Sequence, residues 1–306
     1  MKLFKVLVLL VLPFALTGQS QYADTSYLPP AFETAYAPGE GPVVYIDEAH
    51  NNFHTKDGRY LPFSRLLELD GFKVESFTKE FSKKTLKNIE ILVISNALPE
   101  SSIEQWVAPT QSAFTEDEIN ALEAWVERGG KLFLIADHMP MAGAARQLAR
   151  VFGYTFYDSF ADDTTANSGP DLFTKAGGGL SNNILTVGGK GYFELDSISS
   201  YTGQAFELPE GANSILNTGK GWIIALPDTA WVFNDDTKIY PAEGWSQGAF
   251  QNYAEGKIVF FGEAAMFTAQ TIELDENTKF NAGMNSENGK NNYRLLLNIV
   301  RWLNED

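Results

Sequence analysis

The 306-residue sequence contains no cysteine, which excludes disulfides, thiolate metal ligands and cysteine nucleophiles together. Histidine is scarce too, so any imidazole chemistry must come from His50, His54 or His138. Positive charge is in deficit: 23 Lys and Arg stand against 39 Asp and Glu, a formal net charge of −16. That balance lacks the basic footprint of a nucleic-acid binder, and an anionic membrane surface would repel it. There is no GxSxG elbow, and the glycine runs at 177–179 and 188–189 lack the strand-to-helix setting of a phosphate loop. Internal repeats and low-complexity tracts are also missing. What is present is globular: 13% aromatic residues is too much apolar surface to leave in water. The length suffices for one large domain or two modest ones.

The N-terminus has the form of an export signal. Lys2 and Lys5 precede an apolar run at 6–16, and the small residues Thr17, Gly18 and Ser20 follow. The run is short for a bilayer span and Pro13 interrupts it, so residues 1–20 are expected to be a cleaved signal peptide. A secreted or periplasmic protein follows, with no membrane anchor after signal removal and, without cysteine, no lipid anchor. Residues 21–41, rich in Pro, Ala, Ser and Tyr, read as an extended linker or strap. The remainder, 42–306, reads as a single domain.

Within it, apolar runs at 43–46, 91–94, 131–136 and 257–262 have the look of strands buried on both faces, and 72–77 alternates as a further strand should. Helical spacing appears at 63–69, closed by Gly71, and at 292–303. Thr115 with Glu118 forms a capping box that opens a helix carrying Ile119, Leu122, Trp125 and Val126. Strands alternating with helices predict an α/β fold with a mainly parallel, doubly wound sheet. Residues from about 159 to 253 lose helical spacing and gain Gly, Asn, Thr and aromatics, which reads as an inserted β-rich, loop-rich region.

All three histidines lie just past expected strand ends, where such sheets hold ligands. Asp47, Glu48, His50 and His54 follow the first strand, Asp137 and His138 follow that at 131–136, and Glu263 follows the late one. Converging imidazoles with carboxylates beside them are the donor set of a divalent transition-metal site such as zinc, with His50, His54 and His138 as ligands. The bound metal would lower the pKa of a water. Without metal the same groups could act as general acid and base, Glu48 or Glu263 taking the proton while Asp47 and Asp137 orient the imidazoles. Gln204, Gln247 and Gln270 stand in turn-like or strand-end contexts suited to hydrogen-bonding a substrate sugar or amide. Trp106, Trp222, Trp231 and Trp245 are candidate sugar-stacking platforms, although core packing is the commoner role of tryptophan.

The stretches at 45–54, 57–63, 136–145, 202–206, 247–249 and 262–270 occur together in an uncharacterised bacterial family of unknown function. That family resembles the class I glutamine amidotransferase-like, flavodoxin-like superfamily. The resemblance implies a flavodoxin-like sheet over nearly all of the mature chain. Relatives in the superfamily include enzymes with a Cys-His-Glu triad, which cannot be carried over to a chain without cysteine. Others are non-catalytic, among them similar domains of gliding-motility and intraflagellar-transport proteins. Two functions are therefore expected: a secreted hydrolase acting on a glycan, ester or amide through the His, Asp and Glu residues above, or a non-catalytic exported domain that binds a small-molecule or glycan ligand or a partner.

Overall fold

A computed structural model describes residues 20–166, 169–273 and 278–305; the expected signal peptide, apart from Ser20, lies outside the described residues. The main sheet has seven strands: β1 (Val43–Asp47), β2 (Lys73–Phe77), β3 (Ile91–Ser95), β4 (Lys131–Ile135), β5 (Asn213–Asn217), β6 (Ser246–Tyr253) and β7 (Gly256–Phe261). They lie in the order β5-β6-β7-β4-β3-β1-β2. Four α-helices accompany them: α1 (Leu61–Leu69), α2 (Glu116–Glu127), α3 (Met141–Val151) and α4 (Asn292–Asn304).

The expectation of a mainly parallel, doubly wound, flavodoxin-like α/β fold is corrected by this topology. Among the described residues the chain is mostly β, with seventeen strands to four α-helices. β2, β1, β3, β4 and β7 run parallel, but β6 returns antiparallel along β7, and β5 antiparallel along β6. Four smaller sheets are antiparallel throughout. One joins Ser20–Ala23 to Ala269–Glu273 and Lys279–Gly283, and another joins Phe160–Asp163, Trp222–Leu226 and Lys238–Pro241. Connection length explains the difference. A parallel crossover needs a dozen or more residues, whereas Tyr253 and Gly256 are joined by Ala254 and Glu255 alone, with Ala254 at φ +50°. Within the stretch at 159–253, Asn213–Asn217 and Ser246–Tyr253 thus extend the main sheet as β5 and β6.

Period-two alternation divides the core between the sheet's two faces. Ile91 and Val93 of β3 and Phe133 and Ile135 of β4 join one cluster, with Phe63, Leu66 and Leu67 of α1 and Leu296, Ile299 and Val300 of α4. Leu92, Ile94, Leu132 and Leu134 point the other way, against Ile119, Leu122 and Val126 of α2 and Leu148 of α3. Truncating any of these buried leucines to alanine should cost about 2–5 kcal/mol. At the amino ends of the strands, Arg301 of α4 clasps Asp70 through Nη2 at 2.6 Å and Nε at 2.9 Å, and its Nη2 also donates to the Glu33 carbonyl at 2.8 Å. That clasp pins the segment 33–36 to the body of the domain.

Candidate functional site

Loops leave the carboxyl ends of β1, β3, β4 and β7 side by side, beginning at Glu48, Asn96, Ala136 and Gly262. The first turns His50 inward. Its Nδ1 lies 3.0 and 2.9 Å from the two Asp47 oxygens, and its Nε2 lies 2.9 Å from Glu118 Oε1. Glu118 is also the capping-box residue of α2, taking the Thr115 N–H at 3.0 Å on its other oxygen. Carboxylates only accept, so both ring nitrogens donate and His50 sits as an imidazolium between two acids. Burial alone would lower its pKa, but the Asp47 and Glu118 carboxylates outweigh it and the net shift is upward. Glu118 is held low in return: burial raises it, and the bonds from His50, Thr115 and Phe81 more than offset that. The ring is stacked on Phe81 and only 6% exposed, so this triad clamps the β1 loop to α2 rather than facing a substrate.

His54 is buried separately, its ring against Tyr60 and edge-on to Phe53. Asn96, in the left-handed region at φ +48°, organises this second position. Its Oδ1 accepts the Asp137 N–H at 2.9 Å, which fixes the amide orientation, so its Nδ2 donates to His54 Nδ1 at 3.3 Å. Burial, with the Arg59 charge adding to it, drives the His54 pKa down to about 3, and the ring is neutral.

Glu263 is the floor of the third position. Its two oxygens accept the Ala265 and Met266 N–H groups at 2.6 and 2.7 Å, capping the short turn Ala265–Phe267. Burial first, and then the Asp137 charge, raise its pKa well above the ordinary value. Gly203 makes this packing possible: at φ +107°, a Cβ there would fall 2.3 Å from the Gly262 carbonyl and 2.9 Å from Glu263 Cβ. Asp137 takes the His138 N–H at 2.7 Å. His138 donates from Nδ1 to the Met139 carbonyl at 2.6 Å, and its Nε2 stands 4.0 Å from Asp137 Oδ1, beyond hydrogen-bond range.

His138 is the least buried of the three histidines, its side chain 12% exposed. Its ring is stacked on Phe160, centroids 4.5 Å apart at 14°, with Trp231 edge-on at 4.7 Å and Trp106 at 6.1 Å. Trp106 and Trp231 are walls of a groove of about 370 Å³ completed by Ile103, Glu104, Thr229 and Ala230. Two strips of backbone hold the walls together: Ala230 N donates to the Trp106 carbonyl at 2.9 Å, and Ala108 N to the Asp228 carbonyl at 2.8 Å. Trp231 is held at φ +66°, where a bulky L-residue is strained by about 1–3 kcal/mol.

The three histidines therefore do not form one metal centre. Among the described residues no group of three or more His, Asp or Glu side chains is arranged to hold a metal ion, and His50, His54 and His138 are engaged in three separate environments. The zinc expectation is corrected accordingly, because each imidazole already has its own internal partners. Glu48 also turns inward, accepting the Lys56 N–H at 2.7 Å. Gln204 donates to the Ala136 carbonyl at 2.9 Å, and Gln247 bridges Ser200 and the Thr202 carbonyl. Gln270 is buried in the strand Ala269–Glu273, opposite Ala23 and Ala282. Asn96, Tyr60 and Glu118 were not singled out as site residues from sequence; only the capping box marked Glu118. A larger cavity of about 770 Å³ lies at the opposite, amino-terminal edge beside Tyr192 and Arg301, far from every histidine. Its one guanidinium is already spent on Asp70 and backbone carbonyls.

The protein is thus a β-rich domain with an aromatic groove over the loops at one sheet edge. It belongs to the family described as Domain of unknown function (DUF4350), which matches residues 63–284. No curated protein matches the chain in sequence. Among solved structures it is similar to the mmIFT52 N-terminal domain, with TM-score 0.59 and 13% identity over 86% of this chain and 98% of that one. It is also similar to a thua-like protein from Bacteroides uniformis, with TM-score 0.43 and 13% identity over 90% and 94% of the two chains. A cytoplasmic protein from Salmonella typhimurium gives TM-score 0.48 and 14% identity over 85% and 98%. The first likeness shows the fold alone, the other two carry no argument, and none of the three attaches the chain to the glutamine amidotransferase-like superfamily.

Proposed function

We propose that this chain is an exported small-ligand-binding domain whose site is the groove between Trp106 and Trp231, with the His138 ring packed against both indoles. The observation that carries this reading is Trp231 itself. A tryptophan kept at φ +66° without glycine's freedom packs on Phe160 and also forms a groove wall, and backbone strain of that kind gathers at ligand sites. The hydrolase alternative has less support: Asp47, His50, His54 and Glu263 are buried, and Glu48 is turned onto a backbone N–H. Export rests on the sequence of residues 1–20.

The test is a thermal-shift screen of sugars, amines, carboxylates and aromatic compounds on the wild-type protein and on Trp231→Ala. At least one class should raise the wild-type melting temperature and lose that effect in the folded variant. A shift that survives unchanged in Trp231→Ala, or no shift from any class, would overturn the proposal.

A further inference from the structure

Resting on that reading, we infer that the groove takes a soluble organic cation, specifically a methylated ammonium group, rather than a neutral sugar or an anion. Its lining names the chemistry. Two indoles form the walls, the charged lining residue is Glu104, and neither Lys nor Arg takes part. Indole faces are the strongest aromatic partners for a cation, because the ring quadrupole places negative charge above the plane. The chain as a whole carries −16, so long-range attraction also favours a cation.

A neutral sugar stacks on indole faces too, but this groove gives it few polar partners. A sugar needs several directed donors and acceptors, and the lining side chains supply few: the Thr229 hydroxyl, the Glu104 carboxylate and the two indole N–H groups. An anion would meet Glu104 without a compensating cation among the lining residues. A methylated ammonium asks for no hydrogen-bond donor; it asks for aromatic faces and a nearby negative charge, which this groove offers. A cavity of about 370 Å³ is at the small end of ligand sites and suits such a headgroup.

The test is titration calorimetry of the full chain with choline and with its uncharged isostere 3,3-dimethylbutan-1-ol, beside methyl glucoside and phosphatidylcholine vesicles. Choline should bind one to one, and the uncharged isostere should bind roughly tenfold more weakly, the range expected for a desolvated cation–π contact. Trp106→Ala and Trp231→Ala should each weaken choline by a similar factor, and Glu104→Gln, which keeps the shape, should weaken it by about threefold. Equal binding of choline and the isostere, or binding of the glucoside but not of choline, would overturn the cation while leaving the groove as a ligand site. Vesicle binding without choline binding would overturn the soluble ligand. If none of the four probes binds and the thermal-shift screen also finds nothing, the groove reading itself fails.

Discussion

Asp171→Asn should make the protein more stable at neutral pH, an unusual direction for removal of a native charge. Asp171 begins the strand Asp171–Thr174, opposite Ser200, and its carboxyl is pushed up to about 7 from an ordinary 3.8. Burial is the largest cause, followed by the charges of Asp162 and Asp163; Asp162 is itself pushed up to about 6 by its burial and by Asp163. The unfolded chain gives up the Asp171 proton near 3.8, while the folded chain holds it to about 7. Across that window the folded state binds more protons, so stability is lost as pH rises, and above 7 the whole penalty is in force. A shift of about three units corresponds to roughly 4 kcal/mol as a ceiling. Because Asp162 shares the repulsion and relaxes when its neighbour is neutralised, about 2 kcal/mol is the expected gain. Urea denaturation at pH 4 and pH 8 measures it: wild type and variant should nearly coincide at the lower pH and separate at the higher. Parallel curves, or a less stable variant at pH 8, would refute the reasoning. Glu263 should respond as well, since Asp171 is among the charges that hold its carboxyl up.

Other perturbations separate scaffold from site. His50→Ala leaves Asp47 and Glu118 buried without their cation and should cost about 3–5 kcal/mol in urea denaturation, while ligand affinity of the folded fraction stays unchanged. The His50 pKa is raised, so its stabilising contribution is complete below 6.5 and is lost as pH rises through the folded value; the variant should lack that loss. His54 has the opposite sign. Its folded value of about 3 means that the unfolded chain alone takes a proton from 6.5 downward, so stability falls with acid across that range, and His54→Gln should flatten the fall. Asn96→Gly keeps the left-handed backbone but removes the bonds to His54 and the Asp137 N–H, and should cost about 1–3 kcal/mol by thermal or urea unfolding. Asn96→Ala adds backbone strain and should cost more.

The parts of the fold legible in the sequence are those in which local chemistry and burial agree. The runs Ile91–Ser95 and Lys131–Ile135 are apolar on both faces because both faces are covered, and Thr115 with Glu118 announces α2 by its cap. The antiparallel half was hidden by composition. β6 reads Ser-Gln-Gly-Ala-Phe-Gln-Asn-Tyr, which looks like a loop, yet its first six residues are buried. Its polar groups are satisfied internally: Ser246 Oγ has the Gly248 carbonyl at 2.7 Å and the Leu216 carbonyl at 3.0 Å as acceptors for its one proton, and Gln247 bonds Ser200 and Thr202. A hairpin turn made of Ala254 and Glu255 carries no Asn-Gly signal either.

The site was legible to the level of which loops meet and no further. Acids beside each histidine suggested convergence, but His50 Nε2 is claimed by Glu118, 68 residues away, and Asn96 couples His54 to Asp137 from a third loop. Neither partner has a periodicity that links it to a histidine. Trp106 and Trp231 stood out as candidate platforms beside Trp222 and Trp245, yet only three-dimensional packing separates them. Trp222 is buried in its strand and Trp245 stacks on Tyr157, whereas the other two face the groove.

The claim that this groove is the ligand site is tested most directly by crystals of the protein soaked with a fragment library, charged and neutral compounds together. Bound fragments should gather between Trp106 and Trp231, over His138, with ammonium-bearing members the best occupied. Fragments that collect instead in the larger cleft beside Tyr192 and Arg301, leaving the tryptophan walls bare, would contradict the account.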